Sequence, residues 1–511
     1  MKKLFFAAMC TALFTSCGGG VSTNTKESDN GKYEASWESL SKHQEIPQWL
    51  ADAKLGIYFH WGIFTVPEYG TEWYPYHMYR ENTKINKYHK ETYGEDFEYH
   101  DFVDMFKAPK FDPKEWAKLF KESGARFAGP CAIHHDGFAL WDSKVNPWNS
   151  MDKGPKRDIT GEMLAALKAE GLKTIATFHH SRTLQRNANK PEHWGTAKNA
   201  HGVGYDSHFA YRPDRATSST DPVLSKLYGN MPADEFYQYW FDEIKEVVDQ
   251  YSPDMIWFDA WLNVIPEKNR QEMTAYYYNE AKKKGQDVTI GYKQSDLPLE
   301  VGIQDIEQGG KKELSERVWM TDITLSNKFG WSYAKGQTYK SAELVIRNMI
   351  DVWSKNGVVL LNVSPTAAGE ITEEQRVELK KIGEWMKRNA EAIYGTVPFL
   401  TYGFGNAIAA DGGHGGQSAV VEYTAKDVRF TCSKDMKTVY MFFLGAPKPG
   451  SKYPIRTFDS HRYPFSGKVK RVTVLNTDVE VDFKEFNTDF NFTIPNAPMD
   501  EIATILKFEL E

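Results

Sequence analysis

The chain has 511 residues, 41% of them hydrophobic and 26% charged, an ordinary globular composition with length enough for two or three domains and a sizeable core. Its 62 basic and 69 acidic residues give a formal charge of -7 with no basic block, which argues against a nucleic-acid partner. Aromatic residues reach 14%, and their flat faces can fill cores or stack on sugar rings, so composition permits a carbohydrate enzyme without requiring one.

At the N-terminus, Lys2 and Lys3 precede LFFAAMCTALF, an apolar run too short to anchor stably across a bilayer. Thr15, Ser16 and Cys17 resemble the small-residue box before the lipidated cysteine of a bacterial lipoprotein, with Phe14 where Leu or Val is more usual. A plain cleaved signal is the alternative. Residues 1–17 are thus expected to be a targeting segment and 18–44 a linker. Export is expected, to a periplasmic or cell-surface position, with membrane contact only through the N-terminal lipid. Cys131 and Cys432, far apart in the chain, are expected to be buried thiols rather than a disulfide or a metal cluster.

From residue 48 to 394, short apolar runs alternate with amphipathic stretches. LGIYFHWG from Leu55 reads as a strand, and DPKEWAKLFKESG from Asp112 as a helix with an Asp cap and a Gly stop. FAGPCAIH from Phe127 is a strand, DITGEMLAALKAEG from Asp158 a helix, and LKTIATFHH from Leu172 a strand. Residues 194–232, rich in Gly, Pro, Ser and Asp, read as a long excursion at one face. A helix from Ala233, the strand DMIWFDAW from Asp254, a helix from Asn269, and strands VTIGY from Val288 and GVVLLNVSP from Gly357 follow, then a helix over 371–392. Six strands are assigned in this way and the remaining two are not. The repeated order and the length predict a (β/α)8 TIM-like barrel over 45–396. After Gly395 the pattern turns to period-two alternation without helices, which predicts a C-terminal antiparallel β-sandwich over 397–511 that packs against the barrel, with sugar binding as the alternative role.

Side chains at the carboxyl ends of barrel strands converge on one mouth. Asp259 ends an apolar strand between Trp257, Phe258 and Trp261, which makes it the leading catalytic carboxylate over the bland reading of a loop cap. His60, then Glu72 and Trp73, follow the first strand; His134 and His135 end the second; His179 and His180 end the third. A catalytic metal is not expected, because adjacent strand residues point to opposite sides and no metal-ligand spacing accompanies them. These groups suit a pocket for a small polyhydroxylated ring. A second carboxylate is needed for glycoside cleavage, and Asp305, Glu307 and Asp322 are candidates.

GIYFHWGIFTVP with EWY at Glu72, HHDGF from His134, IWFD from Ile256, WSY after Gly330 and GVVLLNVSP with GEI at Gly369 together resemble the α-L-fucosidases of glycoside hydrolase family 29. The resemblance implies a cofactor-free, retaining exo-hydrolase acting on terminal α-L-fucose of glycans or oligosaccharides. It places the nucleophile on Asp259 and substrate contacts on His60, Glu72, Trp73, His134, His135, Trp257 and Trp331. His179 stands where many members have tyrosine and Lys293 where many have arginine, a swap that gives up a planar fork. Met320 stands where many carry the acid/base glutamate, and a thioether transfers no proton. The acid/base is therefore expected at Glu307, with Asp305 and Asp322 as alternatives. Two competing expectations follow: a weak or inactive fucose-binding protein, or a barrel glycosidase for a related deoxy- or galacto-configured sugar. Oligomeric state is left open.

Overall fold

Eight short strands, nearly all of their residues buried, hydrogen-bond in parallel and close on themselves. The strands are β1 (Leu55–Phe59), β2 (Phe127–Ile133), β3 (Lys173–Phe178), β4 (Met255–Phe258), β5 (Thr289–Lys293), β6 (Ile303–Asp305), β7 (Trp319–Thr324) and β8 (Gly357–Val363), with β8 pairing back to β1. The computed structural model describes residues 32–43, 46–186, 188–191, 207–327, 330–409, 421–455, 468–485 and 490–511. The expected targeting segment lies outside them, as does part of the excursion. No helix among the described residues is long and apolar enough to cross a membrane.

Outer helices begin and stop where the caps predict. The Asp112 carboxylate accepts from the amides of Lys114 and Glu115, and Asp158 from Gly161. Gly285 closes the helix Glu267–Lys284 with φ 62°, a left-handed conformation that glycine adopts without a Cβ penalty. Gly129 on β2 answers a different need, since a Cβ there would run into the backbone carbonyl of Ile175 on β3. Strands β6 and β7 are the two the sequence left unassigned. β6 is three residues long, and no helix separates β5, β6 and β7 among the described residues, so the helical periodicity that announces a βα unit is missing there.

The lumen is filled rather than open, with Tyr58, Phe127, Ile175, Met255, Trp257, Ile303, Met320, Val358 and Leu360 forming one apolar cluster. Residues 37–43, expected to be linker, are instead helical and docked. Trp37 Nε1 donates to Glu267 at 2.6 Å and the Tyr33 amide to Asn279 at 2.8 Å, while Leu40 is buried with Tyr33 and Trp37 packed beside the same core cluster, so the tract docks despite its polar composition.

Beyond the barrel, β9 (Val397–Phe404), β10 (Val428–Cys432), β11 (Thr438–Phe443), β13 (Val469–Val474) and β16 (Thr504–Leu510) form a five-stranded antiparallel sheet. It faces a smaller one of β12 (Lys452–Ile455), β14 (Phe483–Glu485) and β15 (Phe490–Thr493). Alternation along β10 and β11 splits their side chains between two cores. Val428, Phe430, Cys432, Val439, Met441 and Phe443 fill the sandwich, while Tyr440 and Phe442 join the core of the barrel helices. On that barrel-facing side, Arg429 pairs with Asp351 at 2.5 Å, and Lys355 reaches the other oxygen of Asp351 at 2.8 Å. Both thiols, Cys131 and Cys432, are free and buried.

Because Arg429 and Asp351 are almost fully buried, removing the guanidinium leaves Asp351 Oδ1 without its partner in a low-dielectric interface and Lys355 to hold the carboxylate alone. Arg429→Ala should lower the unfolding free energy by about 3 kcal/mol, measured by denaturant titration.

Candidate active site

The first residue past each of the first four strands is polar: His60 after β1, His134 after β2, His179 after β3 and Asp259 after β4. The Asp259 amide still donates to the Phe178 carbonyl at 3.2 Å, so the sheet ladder itself aims this carboxylate into the mouth. Three loops there hold a non-glycine residue in the left-handed region, at Trp261 (φ 75°), Gln294 (φ 57°) and Gln308 (φ 42°), next to Asp259, Lys293 and Glu307. Backbone strain of this kind collects where geometry is held for function.

Lys293, at the end of β5, is the centre of the site. Its Nζ lies 3.0 Å from Asp259 Oδ1, 3.0 Å from Glu307 Oε2 and 3.0 Å from Asp322 Oδ2. Burial alone would raise Asp259, but Lys293, His135 and His179 outweigh it and hold its carboxyl well below the usual range. Burial lowers the Lys293 ammonium, and the carboxylates of Asp322, Glu307, Asp259 and Asp305 more than reverse that, leaving it firmly charged. Asp322 goes the other way, pushed well up by burial and by Asp305. Burial also raises Asp305, against the pull of Lys293.

These two high-pKa groups are committed to the barrel interior. Asp305 accepts from Trp257 Nε1 at 2.8 Å and from the Asp322 amide at 2.9 Å; Asp322 accepts from the Tyr58 hydroxyl at 2.9 Å. Met320 is fully buried in the lumen cluster beside Trp257. Only Asp259 and Glu307, with side chains 16% and 14% exposed, keep contact with the mouth.

Around them stand the remaining candidates. His135 Nε2 is 3.2 Å and His179 Nδ1 3.6 Å from Asp259 Oδ2. His60 is fixed through Nδ1 to Asn362 Oδ1 at 2.9 Å, and its ring lies 5.5 Å from that of His134. Burial pushes His60 and His134 far below the imidazole range and His135 down to about 4, so these rings are neutral at pH 7. Glu72 accepts from the amides of Trp331 at 2.8 Å and Ser332 at 3.1 Å, and burial raises its carboxyl. The Trp73 ring stands 5.5 Å from His135, and the Trp331 ring 5.5 Å from His60. The site thus brings together His60, Glu72, Trp73, His134, His135, His179, Trp257, Asp259, Lys293, Glu307, Asp322 and Trp331, with Asp305 one layer beneath.

Sequence reasoning missed four contributors. Tyr58 and Asn362 are polar groups inside apolar strands, which is the signal by which a sequence can reveal them. Arg182, whose guanidinium lies 4.9 Å from the Trp73 ring, ends a single 3-10 turn after β3, and His208, whose ring is 5.2 Å from His135, lies in the long excursion; neither stretch carries a readable pattern. The argument from strand alternation also fails for the histidines. β2 ends at Ile133, so His134 and His135 escape its pleat, and one ligand atom each from His134, His135 and His179 gather within 4.8 Å.

Asp136, the next residue, is buried and accepts from the Tyr99 hydroxyl at 2.7 Å, and burial raises its carboxyl to about 7. A raised folded pKa adds stability below the unfolded value near 3.9 and loses it as pH climbs through about 7. Asp136→Asn should therefore flatten the fall in melting temperature between pH 4 and pH 7, read by thermal melts across that window.

A sequence profile of the α-L-fucosidases matches residues 20–391. The tissue α-L-fucosidase of Rattus norvegicus is 29% identical over 433 residues, covering 82% of this chain and 80% of the relative. The plasma α-L-fucosidase of Homo sapiens is 28% identical over 444 residues, covering 83% of this chain and 81% of its own. Among solved structures, the Thermotoga maritima α-fucosidase in complex with fucose superposes with a TM-score of 0.71 at 27% identity, covering 93% of this chain and all (100%) of that one. The chain belongs to the α-L-fucosidases of glycoside hydrolase family 29 and is an exo-acting glycosidase that hydrolyses terminal α-L-fucose.

Proposed function

We propose that hydrolysis proceeds with retention, Asp259 attacking the anomeric carbon of fucose while Glu307 protonates the leaving oxygen. A covalent fucosyl-enzyme forms, and Glu307 then takes a proton from the water that releases the sugar. The observation that carries this reading is the shared ammonium. Two oxygens each 3.0 Å from one nitrogen cannot stand more than about 6 Å apart, and retaining pairs lie about 5–5.5 Å apart whereas inverting pairs are wider. Asp259 is held ionised, as a nucleophile must be. Glu307 is favoured over Asp305 and Asp322 because those two are 2% and 1% exposed and already bonded to Trp257, Tyr58 and backbone. Neutral His60, His134 and His135, with His179, Glu72 and Trp73, offer donors and acceptors to the sugar hydroxyls. Trp257 and Trp331 offer an apolar wall for its methyl group.

The substrate on this reading is a fucosylated glycan or oligosaccharide, cleaved by the barrel over 45–396, with 397–511 as a stabilising sandwich. Export as a lipoprotein held by Cys17 belongs to the same proposal, supported by Lys2, Lys3, the apolar run and the small-residue box. Cys17→Ala should move the protein from the membrane fraction to the soluble one, and its retention with membranes would count against the anchor.

Asp259→Gly should lose turnover by several orders of magnitude while fucose binding persists. Glu307→Ala should slow the second step on an aryl fucoside and recover with azide; no rescue would return the role to Asp322 or Asp305. Lys293→Met lets the Asp259 carboxyl rise, so the acidic limb of the kcat/KM profile should shift to higher pH. Fucose binding without release from any member of a panel of linkage-defined fucosides would instead support a binding protein, the reading that Met320 and Lys293 first suggested.

A further inference from the structure

The imidazoles beside Asp259 are arranged for a ligand other than a sugar. One ligand atom from each of His134, His135 and His179 lies within 4.8 Å of the others, and all three side chains are buried. Two further observations point to a cation among them. His135 Nδ1 abuts the backbone carbonyl oxygen of His179, which only accepts, so the ring proton sits on Nδ1. With Nδ1 held there, the ring turns its Nε2 toward Asp259 Oδ2 at 3.2 Å, so the two stand side by side as prospective ligands. The second observation is His134 Nδ1, which has no hydrogen-bond partner among the described residues although the side chain is only 4% exposed.

We propose that the floor of this pocket is a site for a borderline-soft divalent cation of the zinc class, bound by His134, His135 and His179 with Asp259 as carboxylate ligand. Such an ion silences the enzyme by occupying its nucleophile and its sugar-binding imidazoles at once. Neutral imidazoles and one carboxylate suit Zn2+, whereas Mg2+ and Ca2+ prefer all-oxygen shells. The Nδ1–H of His135 held by a carbonyl is the arrangement that fixes the tautomer of metal-bound histidines. Zinc–nitrogen bonds of about 2.0–2.1 Å need the donors roughly 3.3 Å apart, so binding draws the rings together from a cluster whose ligand atoms lie within 4.8 Å. A second grouping, His60, Cys131 and His179, shares one histidine with the first. It is the poorer donor set, because burial keeps the Cys131 thiol protonated.

The competition with sugar rests on the pocket reading above, while the binding of zinc does not. Titration of the full chain with ZnCl2 in a calorimeter should show one site, lost when L-fucose saturates the pocket and absent for MgCl2. With an aryl fucoside, zinc in about tenfold excess over its Kd should raise the apparent KM on the order of tenfold with kcat unchanged, reversed by EDTA. His134→Ala should abolish the zinc heat without changing the melting temperature, and Cys131→Ser should keep both zinc binding and activity. Undetectable zinc binding, binding that survives His134→Ala, loss of binding in Cys131→Ser, or inhibition that acts on kcat alone would each overturn the site. Calorimetry needs no turnover, so a chain that binds zinc yet fails to release fucose would sink the catalytic assignment and leave this one standing.

Discussion

One ammonium group organises the catalytic mouth. Burying a lysine to 3% exposure beside carboxylates is costly, because each ion gives up its hydration, and attraction offsets that only when the geometry satisfies every donor. Lys293 meets that condition. Its three N–H groups face three carboxyl groups, each at 3.0 Å, presented after β4, after β6 and on β7. The planar fork of an arginine is built for one carboxylate, while a tetrahedral ammonium can serve three that arrive from different directions. The exchange of arginine for lysine is therefore not a loosening of the site. It goes with a third carboxylate, Asp322, close to the ammonium.

That convergence sorts the acids by environment. Asp259, touched by Lys293 and two histidines at the mouth, stays ionised, while Asp322 and Asp305, packed beneath against Tyr58 and Trp257, are driven toward the protonated form. Similar carboxyl groups thereby take opposite protonation preferences, set by environment alone. The apolar lumen supports this division, because Met320, Trp257 and their neighbours exclude water from below and leave the strand ends as the polar boundary.

The scaffold that holds this boundary is shared with the C-terminal sheets. Alternate residues of β10 and β11 enter the barrel-side core and the sandwich core, and the buried Arg429–Asp351–Lys355 cluster ties the two together. The sandwich is thus joined to the helical ring of the barrel through one continuous interior. Gathering histidines at adjacent strand ends also brings one ligand atom each from His134, His135 and His179 within 4.8 Å of one another beside Asp259.

Much of this was legible from sequence where the signal is local. Continuous apolar runs announced six barrel strands, Asp and Gly marked helix ends, and the polar residue after each of four strands gave His60, His134, His179 and Asp259, because a parallel strand buried on both faces ends abruptly in polar chemistry. The docked segment 37–43 was misread as linker, since its anchoring depends on Glu267 and Asn279 far along the chain. The strands β6 and β7 were hidden by the absence of intervening helices. Only the tertiary structure decided that Lys293 joins Asp259, Glu307 and Asp322, that Met320 belongs to the lumen, and that His134 and His135 converge with His179. Those facts depend on barrel closure and on side-chain direction beyond a strand end, where the period-two rule no longer applies.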